Sequence, residues 1–221
     1  MIDFMGERRT VDYMLSTKCS ISRFGDGELR LIHGGSAPGQ RELKKEIGFH
    51  LHTILDRPVK GHLSCIPLLN AGMSDKKYKF WKSYGPYTEA YLKSDSIFGS
   101  AFIGRTDSAP HIDDSEYWES CRRLFKGDHV LILCGKDKGV FPDKSLFRYA
   151  LSHRVLCGPP KNAYKSLNAL LSVLLKQKKV DVFVLSLGPT ATVLAYELSR
   201  YGFRALDLGR LGCYYADRSQ P

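Results

Sequence analysis

The chain has 221 residues, about one and a half common domain lengths, so a single compact domain spanning residues 1–221 is expected. With 43% hydrophobic and 25% charged residues, it falls outside the disordered, collagen-like and low-complexity classes. Thirty-three Lys and Arg against 23 Asp and Glu leave a formal charge of +10, which points to an anionic partner such as a phosphate, nucleotide, nucleic acid or acidic membrane face.

Short β-rich runs alternate with longer helical ones. The pattern predicts a helix over about residues 7–18 and a strand at Ser20–Phe24. A helix over Gln40–Leu55 follows, because Leu43, Ile47, Leu51, Ile54 and Leu55 form one stripe. Leu63–Ile66 reads as a strand stopped by Pro67, and Lys76–Leu92 as a helix broken near Gly85 and Pro86. Ile97–Ile103 is a strand and Asp114–Phe125 a helix, with Asp113 or Asp114 as its N-cap. The second half predicts strand His129–Cys134, short helix Leu146–Leu151, strand Arg154–Cys157 and helix Asn162–Lys178. Val180–Leu187 is nearly all apolar, as in a central strand covered on both faces. Helix Pro189–Tyr201, stopped by Gly202, and strand Arg204–Leu208 complete the series. This alternation is that of an α/β, doubly wound, mostly parallel sheet, whose ligands bind at the carboxyl ends of the strands.

No apolar run reaches the roughly 18 residues of a membrane-spanning helix. The opening MIDFMGERRT lacks the basic start, apolar stretch and cleavage site of a secretory signal, so a cytoplasmic location is expected. The six cysteines are widely spaced with no C-x-x-C pair, which argues for small buried residues and against a zinc cage or disulfide framework. The Lys-rich, aromatic stretch from Lys76 to Tyr84 reads as a solvated helix with one aromatic face, or as a membrane-surface or acceptor-binding helix.

Four segments carry candidate chemistry. In SRFGDGE, Asp26 and Glu28 are one glycine apart; in extended backbone they share a side and make a hard oxygen site for Mg²⁺ or Mn²⁺. Gly25 and Gly27 suit a loop approaching a ligand closely. The alternative is a helix capped by Asp26, though the residue three further on is Leu29, so a capping box from Asp26 fails. In LSLGPTATVLAYEL a buried strand turns at Gly188 and Pro189 into a helix opened by Thr190 and Thr192, whose free N–H groups suit a diphosphate, or which is ordinary turn-and-cap chemistry. In CGPPKNAY, Lys161 could reach a phosphate, and Asn162 could cap a helix or contact a ribose or base. CGKDKGV is neither G-x-G-x-x-G nor a P-loop, which ranks NAD-dependent and methyl-transfer chemistry low. No H-E-x-x-H or G-x-S-x-G pattern occurs.

Taken together, SISRFGDGELRLI, AFIGR, LCGPPKNAY and LGPTATVLAYELSRYGFRALDLG resemble, in order and spacing, the GT-D glycosyltransferases, from about residue 20 to 209. The resemblance implies a Rossmann-like fold, a divalent cation (Mn²⁺ or Mg²⁺) on a D-x-E motif, and sugar transfer from a UDP-sugar to a bacterial glycan acceptor. The motif maps onto Asp26 and Glu28, its preamble onto Arg23, Phe24 and Gly25, its post-strand arginine onto Arg105, and a further segment onto Lys161, Asn162 and Tyr164. Asp207, at the end of the last strand, is the expected base. The sequence departs from the family after Asp207: Arg210 stands where a histidine is usual and no acid follows until Asp217. The runner-up is therefore a catalytically impaired sugar-nucleotide-binding protein of a polysaccharide-assembly complex. The expected partners are a nucleotide-sugar and a glycan or lipid-linked glycan at the inner membrane face. Without an RRM, KH or other named motif, no nucleic acid is expected.

Overall fold

The structure, a computed structural model, describes residues 3–69, 73–89, 96–136 and 141–218. Eight strands form one sheet, and every strand pair runs parallel. They are β1 (Asp3–Phe4), β2 (Ser20–Arg23), β3 (His62–Ile66), β4 (Ile97–Ser100), β5 (His129–Gly135), β6 (Ser152–Gly158), β7 (Val182–Ser186) and β8 (Arg204–Asp207), in the order β1-β4-β3-β2-β8-β7-β5-β6. The first four strands build one half and the last four the other. The halves meet where Ile21 of β2 pairs with Leu206 of β8.

Strand periodicity sorts the side chains onto two covered faces. Val130 and Ile132 of β5 and Val182 and Val184 of β7 join one core cluster, while Leu131, Leu133, Phe183 and Leu185 join another. The first face is covered by α1 (Glu7–Thr17), α6 (Ser115–Arg123) and α9 (Leu211–Ala216) through Val11, Met14, Tyr117, Trp118 and Tyr215. The other is covered by α2 (Asp26–Ile32), α3 (Lys44–Asp56), α7 (Leu167–Leu175) and α8 (Pro189–Arg200) through Leu29, Leu51, Leu174 and Leu194. Each such fully buried aliphatic side chain contributes roughly 1.5–3 kcal/mol. Two shorter helices, α4 (Asp75–Lys82) and α5 (Gly85–Glu89), lie between β3 and β4 in the chain.

The doubly wound reading holds, with local differences. Asp114 is the N-cap of α6, accepting from the Tyr117 N–H at 2.9 Å. The helix expected from Gln40 begins at Lys44, because Gly39, Arg41 and Glu42 are tied to Asn162 and Leu43 adopts a left-handed φ of 51°. The helix expected from Asn162 opens as a 3₁₀ turn, Ala163–Ser166. Leu146–Leu151 is a 3₁₀ turn at Lys144–Phe147 instead, and β6 extends to seven residues along an exposed sheet edge. The expected helix end at residues 90–92, and residues 137–140 of CGKDKGV, lie outside the described residues. All six cysteines are free thiols; four are buried, Cys157 is exposed and Cys213 half-buried. Among the described residues, no helix is long and apolar enough to cross a membrane.

Candidate active site

The strands converge at their carboxyl ends on a cavity of about 450 Å³, placed where the two halves of the sheet meet. Arg23 ends β2, Asp207 ends β8, Ala101 follows β4 and Gly188 follows β7, and all four line it. Gly25, Asp26 and Glu28 supply the wall above β2. Trp81, Phe102, Arg105, Gly209, Arg210 and Tyr214 complete the lining.

Asp26 and Glu28 do meet in this cavity, but not in extended backbone. They occupy the first turn of α2, and the N-cap is Gly25, one residue before the expected Asp26. In that register Glu28 stands three residues after the cap, and its carboxylate accepts the Gly25 N–H at 2.8 Å. The helix thus closes on the acid that an open loop was expected to present. Asp26 is half-exposed and ion-paired with Arg30 one turn on. Glu28 is half-buried in the cavity wall, and its desolvation, then Asp207, with a smaller push from Asp26, raise its carboxyl to about 7. Gly27 is buried and faces Ala37, away from the cavity.

Asp207 forms the cavity floor. Its Oδ2 accepts the Arg23 N–H at 3.2 Å and the Thr192 hydroxyl at 3.0 Å, and Oδ1 lies 3.9 Å from the Arg23 guanidinium. Burial raises its carboxyl above the ordinary range, against the opposing pull of Arg23 and these hydrogen bonds. Arg23 is itself fixed by the carbonyls of Asp207 and Ala101 at 2.8 and 3.1 Å. Its guanidinium passes so close to Gly209 that a side chain there would overlap it, and Gly209 also has a φ of 48°.

Gly188 is the N-cap of α8 with φ 57° and ψ −146°, a conformation essentially confined to glycine. Pro189 takes the first helical position, where its missing N–H costs nothing. Thr190 and Thr192 are fully buried and do not line the cavity; Thr192 instead joins Arg23 and Asp207, which makes it a brace for the floor. Arg105 does line it. Asp107 grips Arg105 through both oxygens at 2.9 and 3.1 Å and also holds Lys77 at 2.6 Å. Burial alone would raise the Asp107 carboxyl, but hydrogen bonds from Arg105 and Lys77 carry it well below the usual range.

Lys161 and Asn162 are not in the main cavity. Lys161 borders a small adjoining cleft that shares Pro38 and Gly188 with it. Asn162 spends its side chain on the chain itself: Oδ1 accepts from the Arg41 and Glu42 N–H groups and Nδ2 donates to Glu42. It clamps the loop that carries Pro38, and it is not a helix N-cap by its side chain.

Sequence reasoning missed Trp81 and Tyr214 as cavity walls. Trp81 is buried, packs on Phe102 at 4.9 Å, and carries the Arg105 guanidinium 5.6 Å from its ring. The signal was present in the aromatic spacing of Tyr78, Trp81 and Tyr84, but it gives no hint of which loop lies opposite.

The donors suit a hard divalent cation. Among the described residues no three His, Cys, Asp or Glu side chains converge to hold an ion by themselves. Two carboxylates completed by substrate phosphates and water are a common environment for Mg²⁺. The raised carboxyl of Glu28 reflects first its removal from water and then the nearby Asp207 carboxylate.

A family model described as "Glycosyltransferase GT-D fold" matches residues 21–217. The chain belongs to the GT-D-fold glycosyltransferase family. It is 31% identical, over 94% of its length, to "Probable glycosyl transferase Gly" of Streptococcus gordonii. It is 28% identical, over 97% of its length, to the glycosyltransferase GlyD of Streptococcus pneumoniae serotype 4. The chain spans only 32% and 27% of those two proteins. Among solved structures it resembles domain of unknown function 1792, described as having a distinct glycosyltransferase fold, with TM-score 0.85, 30% identity, and coverage of 97% of this chain and 80% of that one. A glycosyltransferase of the same domain from Streptococcus sanguinis gives TM-score 0.86 and 27% identity, covering 98% of this chain and 84% of that one.

Proposed function

We propose that this chain transfers a sugar from a nucleotide-sugar, a UDP-sugar, to a bacterial glycan or lipid-linked glycan acceptor. The observation that carries the reading is the meeting of Asp26, Glu28, Asp207 and Gly188 in one cavity at the carboxyl ends of parallel strands. Asp26 and Glu28 would hold a Mn²⁺ or Mg²⁺ ion, which when bound supplies Lewis-acid neutralisation of the departing nucleoside diphosphate.

The remaining work belongs to the chain itself. Gly188, the N-cap of the 12-residue α8, lines the cavity and brings the positive end of that helix toward the phosphates. Arg105, its charge balanced by Asp107, lines the cavity as a fixed polar group, and Lys161 adds positive charge in the adjoining cleft. Trp81, Phe102 and Tyr214 provide flat apolar surface for a base or sugar ring. Asp207 takes the proton of the acceptor hydroxyl as its oxygen bonds to the anomeric carbon and the bond from that carbon to the diphosphate breaks. Arg23 and Thr192 fix Asp207 for that task. The +10 charge suits an anionic donor and a lipid-diphosphate acceptor at the inner membrane face.

A second reading, a nucleotide-sugar-binding protein without turnover, is favoured by the same contacts, since a buried Asp207 already accepting two hydrogen bonds is a poor base. Thermal-shift screening of UDP-, GDP-, dTDP- and CMP-sugars with Mn²⁺ tests donor binding, because a ligand of the folded state stabilises it. A UDP-sugar that stabilises wild type but not Asp26→Ala supports the metal role; equal stabilisation of both removes it. Binding without any sugar release or transfer, with Mn²⁺ and candidate acceptors present, selects the second reading.

A further inference from the structure

Most charges lining the cavity are cancelled within the protein. Asp26 is paired with Arg30, Asp207 faces Arg23, and Arg105 is gripped by Asp107. Two side chains stand apart. Glu28 accepts a backbone N–H and no cation offsets it, while two carboxylates press on it. Arg210 is exposed and also lines the cavity, its guanidinium 5.8 Å from the Tyr214 ring, with no carboxylate partner among the described residues. The lining of the cavity therefore includes one uncompensated acid and one uncompensated cation.

The backbone fixes where Arg210 starts. It is the N-cap residue of α9, and the carbonyl of the preceding Gly209 accepts the Ser186 hydroxyl at 2.7 Å. Ser186 is the last residue of β7, two before Gly188. The base of the Arg210 side chain is thus anchored beside the strand end that leads into α8.

We propose that Arg210 is the residue that receives the diphosphate of a nucleoside-diphosphate ligand. The assignment rests on the donor reading above and deepens it. A guanidinium presents a rigid fork of N–H groups that matches phosphate oxygens in pairs, and the Tyr214 ring lies 5.8 Å from it. Arg23 and Arg105 have their forks engaged by protein oxygens, so Arg210 has the most donor capacity left for a ligand. A diphosphate with its counter-cation presents both signs of charge, and so complements Arg210 and Glu28 together.

Isothermal titration of UDP, inorganic pyrophosphate and uridine, each with Mg²⁺, into wild type, Arg210→Ala and Arg210→Lys tests this. The expected result is at least about a tenfold loss of UDP and pyrophosphate affinity in Arg210→Ala, the scale of one charge-assisted hydrogen bond, with uridine unchanged. Arg210→Lys recovers part of the loss, since it keeps the charge without the fork. The unliganded melting temperature of Arg210→Ala stays at the wild-type value, because the side chain is exposed. A smaller loss for UDP, or an equal proportional loss for uridine, overturns the assignment while leaving the donor reading intact. A wild type that binds no nucleoside diphosphate overturns both.

Discussion

Replacing Glu28 by Gln should stabilise the metal-free protein at pH 8. The Glu28 carboxyl rises from 4.5 to about 7 on folding, because burial and then Asp207 disfavour its charge. At about 1.36 kcal/mol per pH unit, the ionised side chain costs the folded state about 3 kcal/mol once the pH exceeds 7. The sign follows from the direction of the shift. A carboxyl raised by folding favours the folded state below about 4.5, and that stability is lost as pH climbs through about 7. Gln keeps an oxygen that can accept the Gly25 N–H, and the extra strength of that bond to an ionised carboxylate is already contained in the net shift. The net gain at pH 8 is about 3 kcal/mol, or roughly 6–12 °C in Tm for a chain of this size. At pH 5 the gain vanishes, because wild-type Glu28 is then largely protonated in the fold. Circular-dichroism melts at pH 5 and pH 8 in EDTA measure both. An equal shift at the two pH values, or a lower Tm for Glu28→Gln at pH 8, refutes the reasoning that Glu28 is an uncompensated acid. Mn²⁺ added at pH 8 should then raise the Tm of wild type and not of Glu28→Gln.

Gly188→Ala forces an L side chain into φ 57°, ψ −146° and should cost about 1–3 kcal/mol in urea unfolding; an unchanged midpoint would mean that the turn relaxes freely. Gly48→Ala should cost about 1–3 kcal/mol as well, since a Cβ on α3 would overlap the Leu31 carbonyl of α2, and the same urea titration reads it. Asn162→Ala removes the clamp on residues 41 and 42, and should lower stability by about 1–3 kcal/mol while leaving the affinity for UDP within about threefold. A large loss of UDP affinity with intact stability would instead return Asn162 to the binding surface.

The elements that a reader of the sequence finds most easily are those whose cause is local. The apolar run of Val182–Ser186 needs two covered faces wherever it lies, and all five residues are buried. Asp114 caps α6 through a hydrogen bond to a residue three away. The first turn of α2 was harder, because two local solutions compete there: an extended D-x-E pair, or a helix capped one residue earlier at Gly25. The helix is closed by a local contact, the Glu28 carboxylate on the Gly25 N–H, whereas the Asp207 carboxylate that presses on Glu28 is 179 residues away in the chain, and no local pattern reports that.

The sequence by itself determined the alternation of strands and helices, the parallel doubly wound class, and the segments RFGDGE and LGPTAT as the ones to watch, since hydrophobic period and turn chemistry are properties of neighbours. Only the tertiary structure decided which of those segments share a space. Asp207 reaches Arg23 and Thr192, Trp81 comes to face the same cavity, and Asn162 is spent on residues 41 and 42. The physical reason is that side-chain charge balance is settled between residues brought together by sheet order. The +10 of the whole chain could not foretell that Glu28 and Arg210 would be the two left uncompensated within one pocket.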